Sequence, residues 1–99
     1  MRWGNFLLMM IARKFLLSGL VQGVGFRFFT QRVAAQYQVR GYVRNLEDGR
    51  VEAWAQGPEI SVEAFKHDIT AGPQYSRVDE VEEIVLEPSS EYSAFRIER

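Results

Sequence analysis

Apolar positions along this chain switch between a two-residue period and a three-to-four-residue period, and the switches mark its elements. In residues 10–18, Ile11, Phe15 and Leu17 share one parity. Arg13 interrupts that parity, but the short apolar run predicts a strand. Residues 19–25 hold three glycines and read as a loop. Phe26, Phe29, Val33 and Tyr37 then recur at steps of three or four, with Gln31, Arg32 and Gln36 on the other side. That stripe predicts an amphipathic helix over 26–38.

Alternation returns at 39–45 and 50–56, where Val51, Ala53 and Ala55 face one way and Glu52, Trp54 and Gln56 the other. Asp48-Gly49 between these strands is a hairpin signal, because glycine accepts the positive φ that tight turns require. Gly57-Pro58 introduces a second helix, with Pro58 suited to its first position. Val62, Phe65 and Ile69 form its apolar stripe, and Gly72-Pro73 stops it. In residues 77–86 the valines match a helix period, yet Val81, Glu83 and Val85 share a parity. A strand with a bulge near Asp79 would bring Val78 into line with them. Phe95 and Ile97 mark a short final strand over 93–98.

The order is strand, helix, strand, strand, helix, strand, with a short strand last. This predicts an α+β, ferredoxin-like split βαβ sandwich: an antiparallel sheet with two helices on one face. Such a fold hosts many activities, so function must be sought in particular residues.

Composition narrows that search. The chain has 99 residues, suited to one domain, and 46% of them are apolar, enough to fill one core. Twelve basic and 13 acidic residues give a net charge of −1, with no global attraction to nucleic acid or an anionic membrane. Cysteine is absent, which excludes disulfides, thiolate nucleophiles and cysteine metal sites. His67 is the only histidine, so one chain cannot build a multi-histidine zinc site or a histidine triad unaided. The apolar run Phe6–Ala12 falls far short of the roughly 20 residues of a membrane helix. It also lacks a small-residue cleavage site. We therefore expect residues 1–9 to be an extension, residues 10–99 to be the domain, and the protein to be a cytoplasmic monomer.

The remaining candidate for chemistry is the stretch GLVQGVGFR, residues 19–27. A glycine-rich turn between a strand and a helix bares backbone N–H groups, and the helix dipole adds positive potential there. Such a nest suits phosphate or carboxylate. Arg27, in the first helical turn, adds a planar fork of donors. Spacing alone supports equally a plain corner with a surface arginine. The stretch lacks the lysine and hydroxyl residue of a nucleotide P-loop and the glycine spacing of a dinucleotide fingerprint.

GLVQGVGFR resembles the acylphosphatase signature, in which G-x-V-Q-G-V precedes a variable residue, an aromatic and arginine. GYVRN, residues 41–45, resembles that family's second motif, and NLEDGRVEAWAQGP resembles its hairpin. The likeness spans about residues 10–99. It implies hydrolysis of an acyl phosphate to a carboxylate and inorganic phosphate. By motif position, it implies that Arg27 and the backbone of Gln22, Gly23, Val24, Gly25 and Phe26 bind the phosphoryl group. It further implies that Asn45, which alone would read as a turn residue, holds the attacking water. No metal or cofactor is implied.

The other candidates are weaker. His67 lies on the second helix, far from both motifs, and reads as a surface residue. Glu82 and Glu83 point to opposite faces of a strand and make a poor acid–base pair. Trp54, Tyr42 and the phenylalanines could suggest a base-stacking sheet, but the RNA-binding glycine–aromatic signature is missing and no nucleic-acid partner is expected. Two alternatives to a stand-alone hydrolase stay open. One is a non-catalytic anion-binding module of the same fold. The other is part of a larger carbamoyl-phosphate-using maturation enzyme, which the missing zinc cysteines and the end at Arg99 disfavour. No further motif marks a specificity pocket.

Overall fold

The computed structural model describes residues 9–99, so all but Met9 of the expected extension lies outside the described residues. The elements are β1 (Met10–Leu20), α1 (Phe26–Tyr37), β2 (Arg40–Asn45), β3 (Val51–Pro58), α2 (Glu59–Ala71), β4 (Arg77–Leu86) and β5 (Phe95–Glu98). The sheet runs β4-β1-β3-β2-β5. This is the expected split βαβ arrangement. Its first four strands pair antiparallel, while β5 joins β2 in parallel and makes the sheet mixed. The direction follows from connectivity. β4 finishes at the same end of the sheet as β2 starts, so once residues 87–94 have crossed to the far edge, β5 runs alongside β2 in the same sense.

The expected bulge is present. Ser18 pairs with Glu80 and Gly19 with Val78, leaving Asp79 as the extra residue. Val78 and Val81 thereby turn toward the helices and pack on the core. Val85, on the open edge strand, is exposed. Several boundaries differ from expectation, among them two beside the ends of β1 and β3. Gly19 and Leu20 belong to β1, because β4 continues to pair with them past the bulge. Pro58 is not the first helical residue. It closes β3 opposite Met10 in an extended conformation (ψ 144°), and α2 begins at Glu59.

Phe15 and Leu17 of β1, Val43 of β2, and Val51, Ala53 and Ala55 of β3 form the helix-facing floor of the core. Phe26, Val33 and Ala34 of α1 and Val62, Phe65 and Ile69 of α2 form its roof. Alanines on the central strand let both helices approach, and Phe65 fills the gap against Phe15, ring centroids 6.2 Å apart. Arg13 sits on this face as well; it pairs with Glu83 at 3.3 Å, and Lys66 of α2 bonds the same carboxylate. That shared use explains how a cation interrupts the apolar parity of β1.

Alternation in β3 holds, but its polar side is buried too: Glu52, Trp54 and Gln56 are each almost fully shielded. The connection 87–94 covers them. Tyr92 lies over Trp54 at 4.8 Å, and Gln56 exchanges two hydrogen bonds with the Ser89 backbone. Glu52 Oε2 accepts from both Tyr42 Oη at 2.6 Å and Arg44 Nε at 3.0 Å, which pairs that oxygen of the buried carboxylate. Burial, and then the bond to Glu52, push the Tyr42 phenol well above its ordinary range.

Gly41 is where β2 and β3 approach most tightly. Its φ is +144°, and a Cβ there would stand 1.8 Å from the Trp54 carbonyl oxygen. Gly41→Ala should therefore cost about 3 kcal/mol of unfolding free energy, read as a lower denaturation midpoint in urea. A loss below about 0.5 kcal/mol would show that the close approach is not a constraint.

Candidate active site

Antiparallel pairing puts the ends of β1 and β2 at one end of the sheet, on either side of the start of β3. Leu17 and Asn45 both pair with Val51. The period of two then sets the side. Gly41, Val43 and Asn45 share a face of β2, and Val43 lies in the core, so Asn45 continues that row on the helix side. Residues 21–25 lead from β1 into the N-terminus of α1, directly above this end. A pocket of about 190 Å³ forms there, lined by Val21, Gly23, Gly25, Phe26, Arg27, Phe28 and Asn45. Residues far apart in sequence, Arg27 and Asn45, thus meet at one cavity.

The loop divides its residues by direction. Gly23 and Gly25 take φ of +76° and +74°, and a Cβ on either would meet nothing within 4 Å. Their requirement is conformational rather than spatial. Val24 packs on the core. Gln22 reaches back across the sheet end: its Nε2 donates to Leu46 O at 2.8 Å and Arg50 O at 2.9 Å, tying the loop to the β2–β3 hairpin. Of the expected loop residues, Gly23, Gly25, Phe26 and Arg27 line the pocket, whereas the side chains of Gln22 and Val24 anchor it from outside. Sequence reading gave Gln22 a backbone role only; the signal for its brace was a two-donor amide in a loop otherwise made of glycine and apolar residues.

The cradle is electropositive by construction. Gly25 occupies the N-cap position of α1, no side chain caps it, and no acidic residue lies in the first turn. The first helical hydrogen bond is donated by Phe29 N to Gly25 O at 3.1 Å. Among the described residues, no backbone N–H from Gln22 to Phe28 donates to another backbone group. Gly23, Gly25, Phe26, Arg27 and Phe28 line the pocket, and the N-terminus of α1, the positive end of its dipole, lies beside it. Arg27 is partly buried, and one guanidinium nitrogen, Nη1, donates to the Glu98 carbonyl at 3.4 Å. No carboxylate pairs with it among the described residues.

Asn45 supplies the opposite polarity. Its Oδ1 is buried and accepts no hydrogen bond, the one such side-chain atom among the described residues. An orphaned acceptor of this kind costs stability unless a ligand or solvent donor meets it, and native proteins rarely carry one without use. A wider groove of about 620 Å³ lies elsewhere, between α1 and β5, and includes Arg32 and Arg40. It adjoins the carbonyl end of α1, where helix polarity opposes an anion. His67 is exposed on α2, and Glu82 and Glu83 lie on opposite sides of β4, as expected. Among the described residues, no cluster of three or more His, Cys, Asp or Glu residues forms a metal site.

The family model for acylphosphatase matches residues 13–97. The chain belongs to the acylphosphatase family. It is 44% identical to an acylphosphatase of Koribacter versatilis over 86 residues, which is 87% of this chain and 78% of that protein. Among solved structures, an acylphosphatase from Bacillus subtilis superposes with a TM-score of 0.86 at 33% identity, covering 92% of this chain and all of that one. A phosphate- and nucleotide-bound full-length HypF matches with a TM-score of 0.81 at 32% identity, over 93% of this chain but 12% of its own length. The acylphosphatase fold therefore recurs both as a whole chain and as a small part of a longer one. No described helix is long and apolar enough to cross a membrane.

The brace from Gln22 is testable apart from catalysis. Gln22→Ala removes both bonds to the hairpin, so amide exchange in residues 22–27 should accelerate and affinity for inorganic phosphate should fall about tenfold. Unchanged exchange and affinity would show that the glycine loop holds its shape unaided.

Proposed function

We propose that Arg27, Asn45 and the backbone of residues 22–27 hydrolyse acyl phosphates by attack of water on phosphorus. The observation that carries this reading is the meeting of three complementary features at one small cavity: bare N–H groups, a guanidinium, and an orphaned amide oxygen. The family membership supports the same reaction class.

The phosphoryl oxygens lie among the N–H groups of the loop and the first helical turn. The Arg27 fork takes two of those oxygens. Because the donors are fixed by backbone and by the Gln22 brace, they need little reorganisation as charge redistributes in the transition state. Asn45 Oδ1 accepts a hydrogen bond from the attacking water and so aims the water's lone pair at phosphorus. The water oxygen–phosphorus bond forms as the bond from phosphorus to the acyl oxygen breaks. The leaving carboxylate has a conjugate acid of pKa roughly 4, so it departs without a general acid. A phosphoryl oxygen of the substrate takes the proton of the water. Phosphoryl transfer through a loose transition state asks mainly for positioning and charge complementarity, which so sparse a site can supply.

In this reading residues 22–27 are a phosphate-binding loop, residues 10–99 the catalytic domain and residues 1–9 an extension to it. The protein works as a monomer in a reducing, cytoplasmic setting, without metal, cofactor or nucleic acid. The cysteine-free composition and near-neutral charge agree with that setting.

Benzoyl phosphate should be hydrolysed in the presence of a chelator, with phosphate release as the readout. Arg27→Ala should lose phosphate affinity and lower kcat/KM by about a thousandfold. Asn45→Ala should lower kcat about a hundredfold while the inhibition constant for phosphate stays within roughly twofold. Well-folded protein that binds phosphate but turns over nothing would instead make this a non-catalytic anion-binding module.

A further inference from the structure

We infer that Phe28 is a specificity residue that receives the acyl half of the substrate and selects apolar, aromatic acyl groups over small ones. This rests on the hydrolase reading above and adds a preference that the phosphoryl cradle alone does not supply. Phe28 lines the same pocket as Arg27 and Asn45, yet it is 69% exposed. A large apolar side chain at that exposure contributes little to the core, where the neighbouring Phe26 is buried.

Helix geometry explains where it leans. Phe28 is the third residue of α1, and side chains on a helix tilt toward its N-terminus, here toward the loop. The residue one turn earlier on the same face is Gly25, the N-cap, which has no side chain to screen the ring from the pocket. The ring thus stands at the mouth of a cradle whose floor is backbone.

The rest of the lining points the same way. Its polar side chains are Arg27 and Asn45, both engaged by the phosphoryl group and the water. Once these are occupied, the acyl group meets the glycines and Phe28, the one exposed apolar side chain of the lining, since Val21 and Phe26 are buried. No side-chain donor or acceptor of the lining remains to read an amide or hydroxyl on that group. An apolar acyl group gains contact and stacking area with Phe28 as it is held. A small polar one gains neither, and its polar atoms must look to solvent.

The test compares the benzoyl-to-acetyl phosphate ratio of kcat/KM between variant and unsubstituted full chain, so that the intrinsic reactivities of the two substrates cancel in the comparison. Phe28→Ala should lower the benzoyl-to-acetyl ratio about tenfold relative to the unsubstituted protein. Phe28→Leu, which keeps apolar bulk, should restore a large part of it. Because the side chain is exposed, both variants should fold with unchanged far-ultraviolet circular dichroism. An equal loss with both substrates, or no change with either, overturns the proposal. Turnover of neither substrate by the unsubstituted protein overturns the hydrolase reading on which it stands.

Discussion

A single side-chain amide holds the two halves of the site together. Gln22 begins in the loop after β1 and ends on the hairpin between β2 and β3, where it bonds two carbonyls at 2.8 and 2.9 Å. On one side of that link lie the bare N–H groups and Arg27; on the other lies Asn45. Strand pairing alone brings β1 and β2 to the same end of the sheet, with β3 between them. It does not fix the height of the five-residue segment 21–25 above that end. The amide does, because both donors of one planar group are spent on two carbonyls of the same turn.

The loop itself leaves polar backbone unpaired among the described residues. Buried or half-buried N–H groups ordinarily find partners, and a helix start ordinarily gains a capping side chain. Here α1 starts from a glycine with no cap and no first-turn acid. In the proposed function, stability forgone at the helix end becomes affinity when an anion arrives. The orphaned Asn45 oxygen follows the same logic with the opposite sign. The surrounding core carries that deficit: Phe26, which lines the pocket, belongs to the same buried cluster as Phe15, Leu17 and Phe65.

Much of this architecture could be read from the chain because it is local. Period-two runs and glycine–proline punctuation located β1 to β4, both helices and even the bulge at Asp79. The side on which Asn45 lies follows by counting from Val43 only once Val43 is known to be in the core. What escaped the sequence depends on contacts between distant segments. Alternation in β3 showed which way Trp54 and Gln56 point, but period reports side and not depth. Their burial comes from residues 87–94, which carry no periodic pattern. The parallel sense of β5 is likewise set by where β4 ends, not by any residue in β5. Gln22 as a brace and Phe28 at the pocket mouth needed the pairing of strands to be known first, whereas Arg27 and Asn45 could be named from the motif resemblance beforehand.

The central claim is that an anion is held by the backbone of residues 22–27 and not merely by one arginine. Titration of isotopically labelled protein with inorganic phosphate, followed by amide nuclear magnetic resonance, tests it directly. The account predicts saturable shifts centred on the amides of Gly23 to Arg27, with the Asn45 side-chain amide moving alongside them. Shifts confined to the Arg27 side chain, or centred on the groove beside Arg32 and Arg40, would contradict it.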